Sequence, residues 1–204
     1  GLPIDESPRY DPNNPGLNRD PRANATIYFP GDLFLVNPDK VYNGNGATGF
    51  GHRKYIRQGP DEEGNPPGGQ GSQDFYLIRY AEVLLTRAEA LVETGNLIGA
   101  RELINQIRDR VGMPSVEDVE GTGLTQDEMM DVVRHERRVE LALEGLRFMD
   151  LKRWGEIEEG INRASADPVG PYDPVYLGVR SATFPIPQSE LDVNENLVQN
   201  PAWE

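Results

Sequence analysis

Cysteine is absent from the 204 residues, so the chain can hold neither a disulfide framework nor a thiolate-bound zinc ion. Histidine is nearly absent too, with two residues, His52 and His135. His135-Glu136 opens like the helical motif of zinc proteases, but the second His of that motif falls on Val139. A catalytic metal site or a Ser-His-Asp triad is therefore poorly supplied, and His135 reads as a helix-surface residue. Long apolar runs are missing, and none approaches the ~18 residues that span a bilayer. Cations are in deficit, with Lys+Arg 20 against Asp+Glu 34 and a net charge of −14. Such a surface repels phosphate backbones and anionic lipid, which argues against nucleic acid as a partner. Apolar residues make up 37%, few for a compact globule, whereas Gly 22 and Pro 17 are too many for a pure helical bundle. The chain opens Gly1-Leu2-Pro3 without an initiator Met. It is expected to be a processed or truncated piece, with any address segment lying upstream.

Composition changes near Asp74. Residues 1–73 are loop-like, carrying Asn13-Asn14-Pro15-Gly16, Asn43-Gly44-Asn45-Gly46 and Pro66-Pro67-Gly68-Gly69, with short strand candidates at Thr26–Phe29 and Leu33–Val36. A segment of this kind is expected to wrap over other parts of a larger protein. Residues 74–204 form a helical region with an irregular tail after Ala166, and the two stretches together are expected to make one incomplete domain. The spacing of Phe75, Ile78, Ala81, Leu84, Leu85, Ala88, Leu91 and Val92 predicts a first helix. Gly95-Asn96 breaks it, and a second helix follows through Ala100, Leu103, Ile104, Ile107 and Val111 to Gly112. Thr125-Gln126-Asp127-Glu128 is a capping box that should start a long third helix through Met129, Val132, Val133, Val139 and Leu143. A shorter helix is expected from Arg147 through Trp154 to Ile161. The first pair has the spacing of one tetratricopeptide repeat, with Ala88 and Ala100 allowing close approach. A single repeat cannot bury both faces, so further helices must stack on it. The fold class is thus mainly α, with tetratricopeptide-like hairpins under long irregular loops.

Gly44-x-Gly46-x-x-Gly49 spells a dinucleotide fingerprint but lacks the strand before it and the helix after it, so it reads as a turn. Asp11-x-Asn13-x-Pro15-Gly16 begins like a calcium loop, yet the twelfth position is Arg22 rather than a bidentate acid. No cofactor is expected, and irregular Asp/Asn loops leave only occasional calcium binding open. Glu136, Glu140 and Glu144 stand at i, i+4 and i+8 and must repel one another unless cations intervene. Arg137, Arg147 and Arg153, with Asp150 between them, are expected to join these glutamates in a buried structural network, and Arg79 and Arg87 can reach it from the first helix. A glycosidase acid needs a raised carboxyl pKa, which such an arginine lattice opposes, so catalysis is not expected. Trp154 reads as core. The loop aromatics Tyr10, Tyr28, Phe29, Phe34, Tyr42, Phe50 and Tyr55 lie in polar, Gly-rich surroundings. Of these, Tyr10, Tyr42 and Phe50 are the candidates for a ligand contact.

The order of motifs is similar to one family. Arg79-Tyr80-Ala81-Glu82-Val83-Leu84-Leu85 with Ala88-Glu89-Ala90 comes first. Leu103-Ile104-Asn105-x-Ile107-Arg108-x-Arg110-x-Gly112 follows, then Glu136-Arg137-Arg138-x-Glu140-Leu141-x-x-Glu144-Gly145-x-Arg147-x-x-Asp150-Leu151-x-Arg153-Trp154-Gly155. Pro185-Ile186-Pro187-x-x-Glu190, Asn194 and Gln199-Asn200-Pro201 close the series, and Asp20-Pro21-Arg22 and Lys54-Tyr55 fit upstream. Together these resemble the carboxy-terminal part of the SusD/RagB family of Bacteroidetes outer-membrane nutrient-binding lipoproteins. The resemblance implies a cell-surface protein held by a lipid anchor outside this chain. It would capture oligosaccharides, or peptides in some members, for a TonB-dependent, SusC-like transporter. It also implies that the signature residues are structural and that the ligand contacts lie mainly in an amino-terminal half not present here and in variable loops. A glycoside hydrolase and a tetratricopeptide-like protein scaffold are the competing readings.

Overall fold

The structure is a computed structural model and describes residues 7–33, 40–46, 48–56, 74–165 and 173–204. It divides into two compact units, Gly1–Gly145 and Leu146–Glu204. The Asp20-Pro21 pair opens the first helix, α1 (Pro21–Thr26). The Asp20 side chain accepts from the Arg22 N–H, and Pro21 occupies a first-turn position that needs no N–H. Strand β1 (Ile27–Tyr28) then pairs antiparallel with β2 (Gly51–His52), Ile27 opposite His52. The strand expected at Thr26–Phe29 is therefore shorter, its first residue belonging to α1. Leu33 bridges Val41; the rest of the Leu33–Val36 candidate, and the Phe34 ring, lie outside the described residues.

The helical hairpin consists of α2 (Tyr80–Glu93) and α3 (Leu97–Arg110). Their join follows from local chemistry: Gly95 takes φ +79 and Asn96 caps α3 by accepting from the Gly99 N–H at 3.0 Å. A five-residue helix, α4 (Val116–Glu120), follows under a Ser115 cap. Helix α5 (Gln126–Glu140) carries the complete Thr125/Glu128 capping box. Helices α2, α3 and α5 pack on one another. Leu85, Ala88, Val92, Ala100, Ile104, Ile107, Met129 and Val133 lie at the centre, with the two alanines wholly buried as the close approach requires.

Two helix starts and stops depart from expectation. Phe75 and Ile78 are exposed and not helical; α2 begins at Tyr80 because Arg79 is extended, with φ −128 and ψ 159. Helix α5 stops at Glu140 instead of running through Leu143, which sits in the left-handed region at φ +64. Glu144 accordingly lies in the turn beyond α5, not on a third rung of its face.

In the second unit the single helix expected from Arg147 to Ile161 is two, α6 (Arg147–Trp154) and α7 (Ile157–Ser165). Gly155 adopts φ +75, and the Glu156 N–H returns to the Leu151 carbonyl at 2.8 Å, a terminator any side chain at 155 would strain. Short 3-10 turns at Gly178–Ala182 and Pro201–Trp203 flank α8 (Gln188–Val193). The Gln199 side chain clips Ile186, accepting from its N–H at 2.9 Å and donating to its carbonyl at 3.0 Å.

Candidate functional site

The chemistry of the first unit centres on the carboxylates of α5 and the turn after it. Glu136 and Glu140 are one helical turn apart and almost wholly buried, and Glu144 is buried beside them. Cations from four other parts of the chain meet them. Arg22 on α1 places one nitrogen 2.6 Å from Glu136 Oε1 and 2.8 Å from Glu140 Oε2, while its Nε donates to Asp20 at 3.0 Å. Arg108 on α3 donates to Glu136 Oε2 at 2.9 Å, and Arg110 reaches Glu140 Oε1 at 2.8 Å. Arg79, at the start of α2, bridges Glu140 Oε1 at 2.6 Å and Glu144 Oε2 at 2.7 Å. Lys54, just past β2, pairs with Glu144 and donates to the Ala142 carbonyl at 3.1 Å.

Backbone is satisfied along with charge. Arg79 Nη2 donates to the Glu140 carbonyl at 2.6 Å, so the exposed carbonyl end of α5 is capped by side chains from elsewhere. Burial opposes ionisation of Glu140, but hydrogen bonds from Arg22 and Arg79 outweigh it and hold the carboxyl below its usual range. Asp20 is lowered in the same way, its burial overcome by Arg22. For Arg22 burial pulls the guanidinium down, and Asp20, Glu136 and Glu140 raise it further than burial lowers it. With Glu140 and Asp20 held below their usual range, the group works as an ionic clamp, the opposite of a general acid.

The expected seven-residue network is distributed over the two units. Arg137 is buried in the first and donates to Thr86 Oγ1 at 3.2 Å. Arg147, Asp150 and Arg153 belong to the second. There Arg153 donates to the buried Asp150 at 3.0 Å, and both arginines lie over Trp154, Arg153 at 4.7 Å and Arg147 at 5.7 Å. Sequence reading placed Arg79 near the glutamates and missed Arg22, Lys54, Arg108 and Arg110 as partners. The available signal was arithmetic: three buried carboxylates need more cations than their own helix supplies, and the Asp20-Pro21-Arg22 and Lys54-Tyr55 motifs carry cations upstream.

Of the three aromatic candidates, Tyr42 and Phe50 come together and Tyr10 stands apart. Tyr42 lies 6.0 Å from the buried Tyr28 ring, and Phe50 meets the buried Phe29 edge-on at 5.5 Å. The Tyr42 hydroxyl accepts from the Gly46 N–H at 3.3 Å. A Cβ at Gly46 would stand 2.7 Å from the Phe50 carbonyl oxygen, so this glycine is needed for the close turn and not for a phosphate. No helix opens at Gly49, and the nucleotide fingerprint is a loop here. Tyr10 is half-buried under Arg19, whose guanidinium lies 5.2 Å from the ring centre. Asp11 accepts from the Asn13 N–H at 2.9 Å in a tight turn. Among the described residues no three His, Asp or Glu side chains gather as metal ligands, and no helix is long and apolar enough to cross a membrane. His135 is exposed on α5.

Fold and clamp define a helical-hairpin scaffold that holds a Gly/Pro-rich segment against its helices through buried ion pairs. A family model described as the SusD family matches residues 3–203, and the chain belongs to that family. Among curated relatives, SusD-like protein P2 of Formosa agariphila is 34% identical over 137 residues, 65% of this chain and 26% of its own length. SusD-like protein P38 of the same organism is 41% identical over 91 residues, 42% of this chain and 18% of its own length. The chain thus spans about a quarter or less of these relatives. A solved SusD-like carbohydrate-binding protein of Bacteroides fragilis is 33% identical, with a TM-score of 0.71 over 95% of this chain and 44% of that one. A laminarin-binding SusD-like protein is 32% identical, with a TM-score of 0.61 over 89% of this chain and 35% of that one.

Proposed function

We propose that this chain is the scaffold portion of a cell-surface, lipid-anchored protein that captures oligosaccharides for a TonB-dependent, SusC-like outer-membrane transporter and does not cleave them. The observation that supports it most is the SusD match across residues 3–203, joined to solved relatives described as carbohydrate-binding and laminarin-binding. The absence of catalysis is supported by the clamp. Glu136, Glu140 and Glu144 are buried and each pairs with a cation, and Glu140 is held ionised, whereas glycoside cleavage needs one carboxyl kept protonated. The main site lies outside this chain. Tyr10, exposing part of a ring beside Arg19, and the Tyr42/Phe50 loop offer secondary contacts to the apolar faces of sugar rings.

Calorimetry of the full gene product against neutral oligosaccharides and peptides is the test, with a parallel assay for new reducing ends. Heat with a glycan and no new reducing ends is expected. Binding confined to peptides would overturn the ligand class, and released sugar would overturn the non-catalytic reading.

A further inference from the structure

Asparagine is followed by glycine twice in the chain, at Asn43-Gly44 and Asn45-Gly46, and the two pairs stand side by side in the loop after Tyr42. The pairing has a chemical consequence. The peptide nitrogen of the next residue can attack a side-chain amide, and glycine alone brings no Cβ into its path. Both asparagines are exposed. The sequence makes the two pairs equivalent, and the structure makes them different.

The difference lies at the attacking nitrogens. The Gly46 N–H donates to the Tyr42 hydroxyl at 3.3 Å, and the Gly46 carbonyl accepts from the Gly49 N–H at 2.9 Å. The residue is also crowded, since a Cβ there would stand 2.7 Å from the Phe50 carbonyl oxygen and 3.0 Å from the Tyr42 hydroxyl. Its nitrogen is occupied and its peptide is pinned on both sides. Gly44 has neither restraint. Its φ is +77, and among the described residues its N–H has no hydrogen-bond acceptor. The chain just before it is anchored, because the Tyr42 N–H donates to the Asp32 carbonyl at 2.8 Å and the Tyr42 carbonyl accepts from the Gly31 N–H at 2.9 Å. Asn43 is thus the first residue beyond a fixed bridge, with its amide in water and a free nitrogen next to it.

We propose that Asn43 is a site of spontaneous deamidation and that the Tyr42 hydroxyl protects Asn45 from the same reaction. Base takes the proton of the Gly44 peptide nitrogen, and that nitrogen bonds to Asn43 Cγ. The Cγ–Nδ2 bond breaks, and Nδ2 leaves as ammonia with a proton from water. One water then opens the five-membered imide. Breaking the new bond between nitrogen and Cγ gives aspartate at 43. Breaking the bond between nitrogen and the main-chain carbonyl carbon gives isoaspartate, with the backbone running through the side chain. One water enters, one ammonia leaves, and nothing is oxidised. Either product adds a negative charge to a chain already at −14. Isoaspartate also lengthens the main chain directly after Tyr42, in the loop where Tyr42 packs beside Tyr28 and Phe50 against Phe29. The inference rests on this loop alone and is independent of the ligand.

The test ages the full gene product at mildly alkaline pH, which ionises more peptide nitrogen. Its peptides are followed by mass spectrometry with fragmentation that separates aspartate from isoaspartate. In the folded protein Asn43 should lose its amide faster than Asn45 by about fivefold or more, the rate equivalent of one neutral hydrogen bond. In urea the two rates should converge. Tyr42→Phe keeps the ring and removes only the hydroxyl; with circular dichroism unchanged, it should bring Asn45 up toward Asn43 and leave Asn43 as it was. Equal rates in the folded protein, or a faster Asn45, would overturn the proposal. So would an Asn43 that reacts only in urea, which would mean that the rest of the protein covers it. An Asn45 rate unmoved by Tyr42→Phe would overturn the protection by the hydroxyl.

Discussion

Arg22 ties three carboxylates of the first unit together. It is buried, it touches Asp20, Glu136 and Glu140, and it joins α1 to a helix more than a hundred residues away. Removing one partner of a buried ion pair strands the others, at a cost of about 3–5 kcal/mol. Arg22→Ala is therefore expected to lower stability by about that amount in equilibrium urea unfolding. Arg22→Lys keeps the charge but cannot serve three carboxylates with one planar fork, and should recover only part of the loss. Arg163→Ala, which breaks an exposed pair with Glu159 on α7, is the contrast and should change stability by less than about 0.5 kcal/mol. Acid should act on the same clamp. The folded Glu140 carboxyl sits below its ordinary 4.5, and Asp20 below 3.8, so the unfolded chain takes up these protons at higher pH than the folded one. That stability is complete above about pH 4.5 and is lost as pH falls through the folded values. The urea midpoint at about pH 3 should lie well below that at neutral pH, and the drop should be smaller in Arg22→Ala. An equal drop in both proteins would place the acid sensitivity outside the clamp.

At the scale of elements, the signals that proved readable were those written in neighbouring residues. The Thr125/Glu128 box, the Gly95-Asn96 break and the periodic faces of α2 and α3 are local, and the structure shows each of them. Thr125→Ala removes the hydroxyl that accepts from the Glu128 N–H and should cost about 1 kcal/mol, measured by thermal unfolding. What periodicity could not show was set by distant partners. Apolar spacing carries the third helix on to Leu143, but Arg79 and Lys54 cap the carbonyls of Glu140 and Ala142 from the side, and the chain turns there with Leu143 left-handed. Phe75 and Ile78 fit the period of α2 and yet precede it, because Arg79 is held extended by the clamp. Helix α1 has no apolar period at all, and only its Asp-Pro cap betrays it. The candidate aromatics show the same division. Gly-rich surroundings pick out Tyr42 and Phe50, but that they pack on Tyr28 and Phe29 depends on the β1–β2 pairing, a long-range fact.

For the whole molecule, charge is the property that reaches furthest. A net charge of −14 on 204 residues sets up a field that disfavours anionic ligands at any distance within the screening length. If the ligand is a neutral glycan, its affinity should be nearly independent of salt. A sulfated or uronate-rich glycan of the same length should bind more weakly at low ionic strength and recover as salt is added. Calorimetry at two sodium chloride concentrations separates the cases. Stronger binding of the polyanion at low salt would mean that a cationic site outside this chain overrides its field.

The clamp also has a schedule. A chain is delivered amino terminus first, and Arg22 precedes Glu136 by 114 residues. At about 5–20 residues per second, roughly 6–23 s separate the synthesis of the arginine from that of its first distant carboxylate. Through that interval Asp20, two residues away, is the one clamp partner already made, and the loop segment waits beside it until α5 arrives to close the lock.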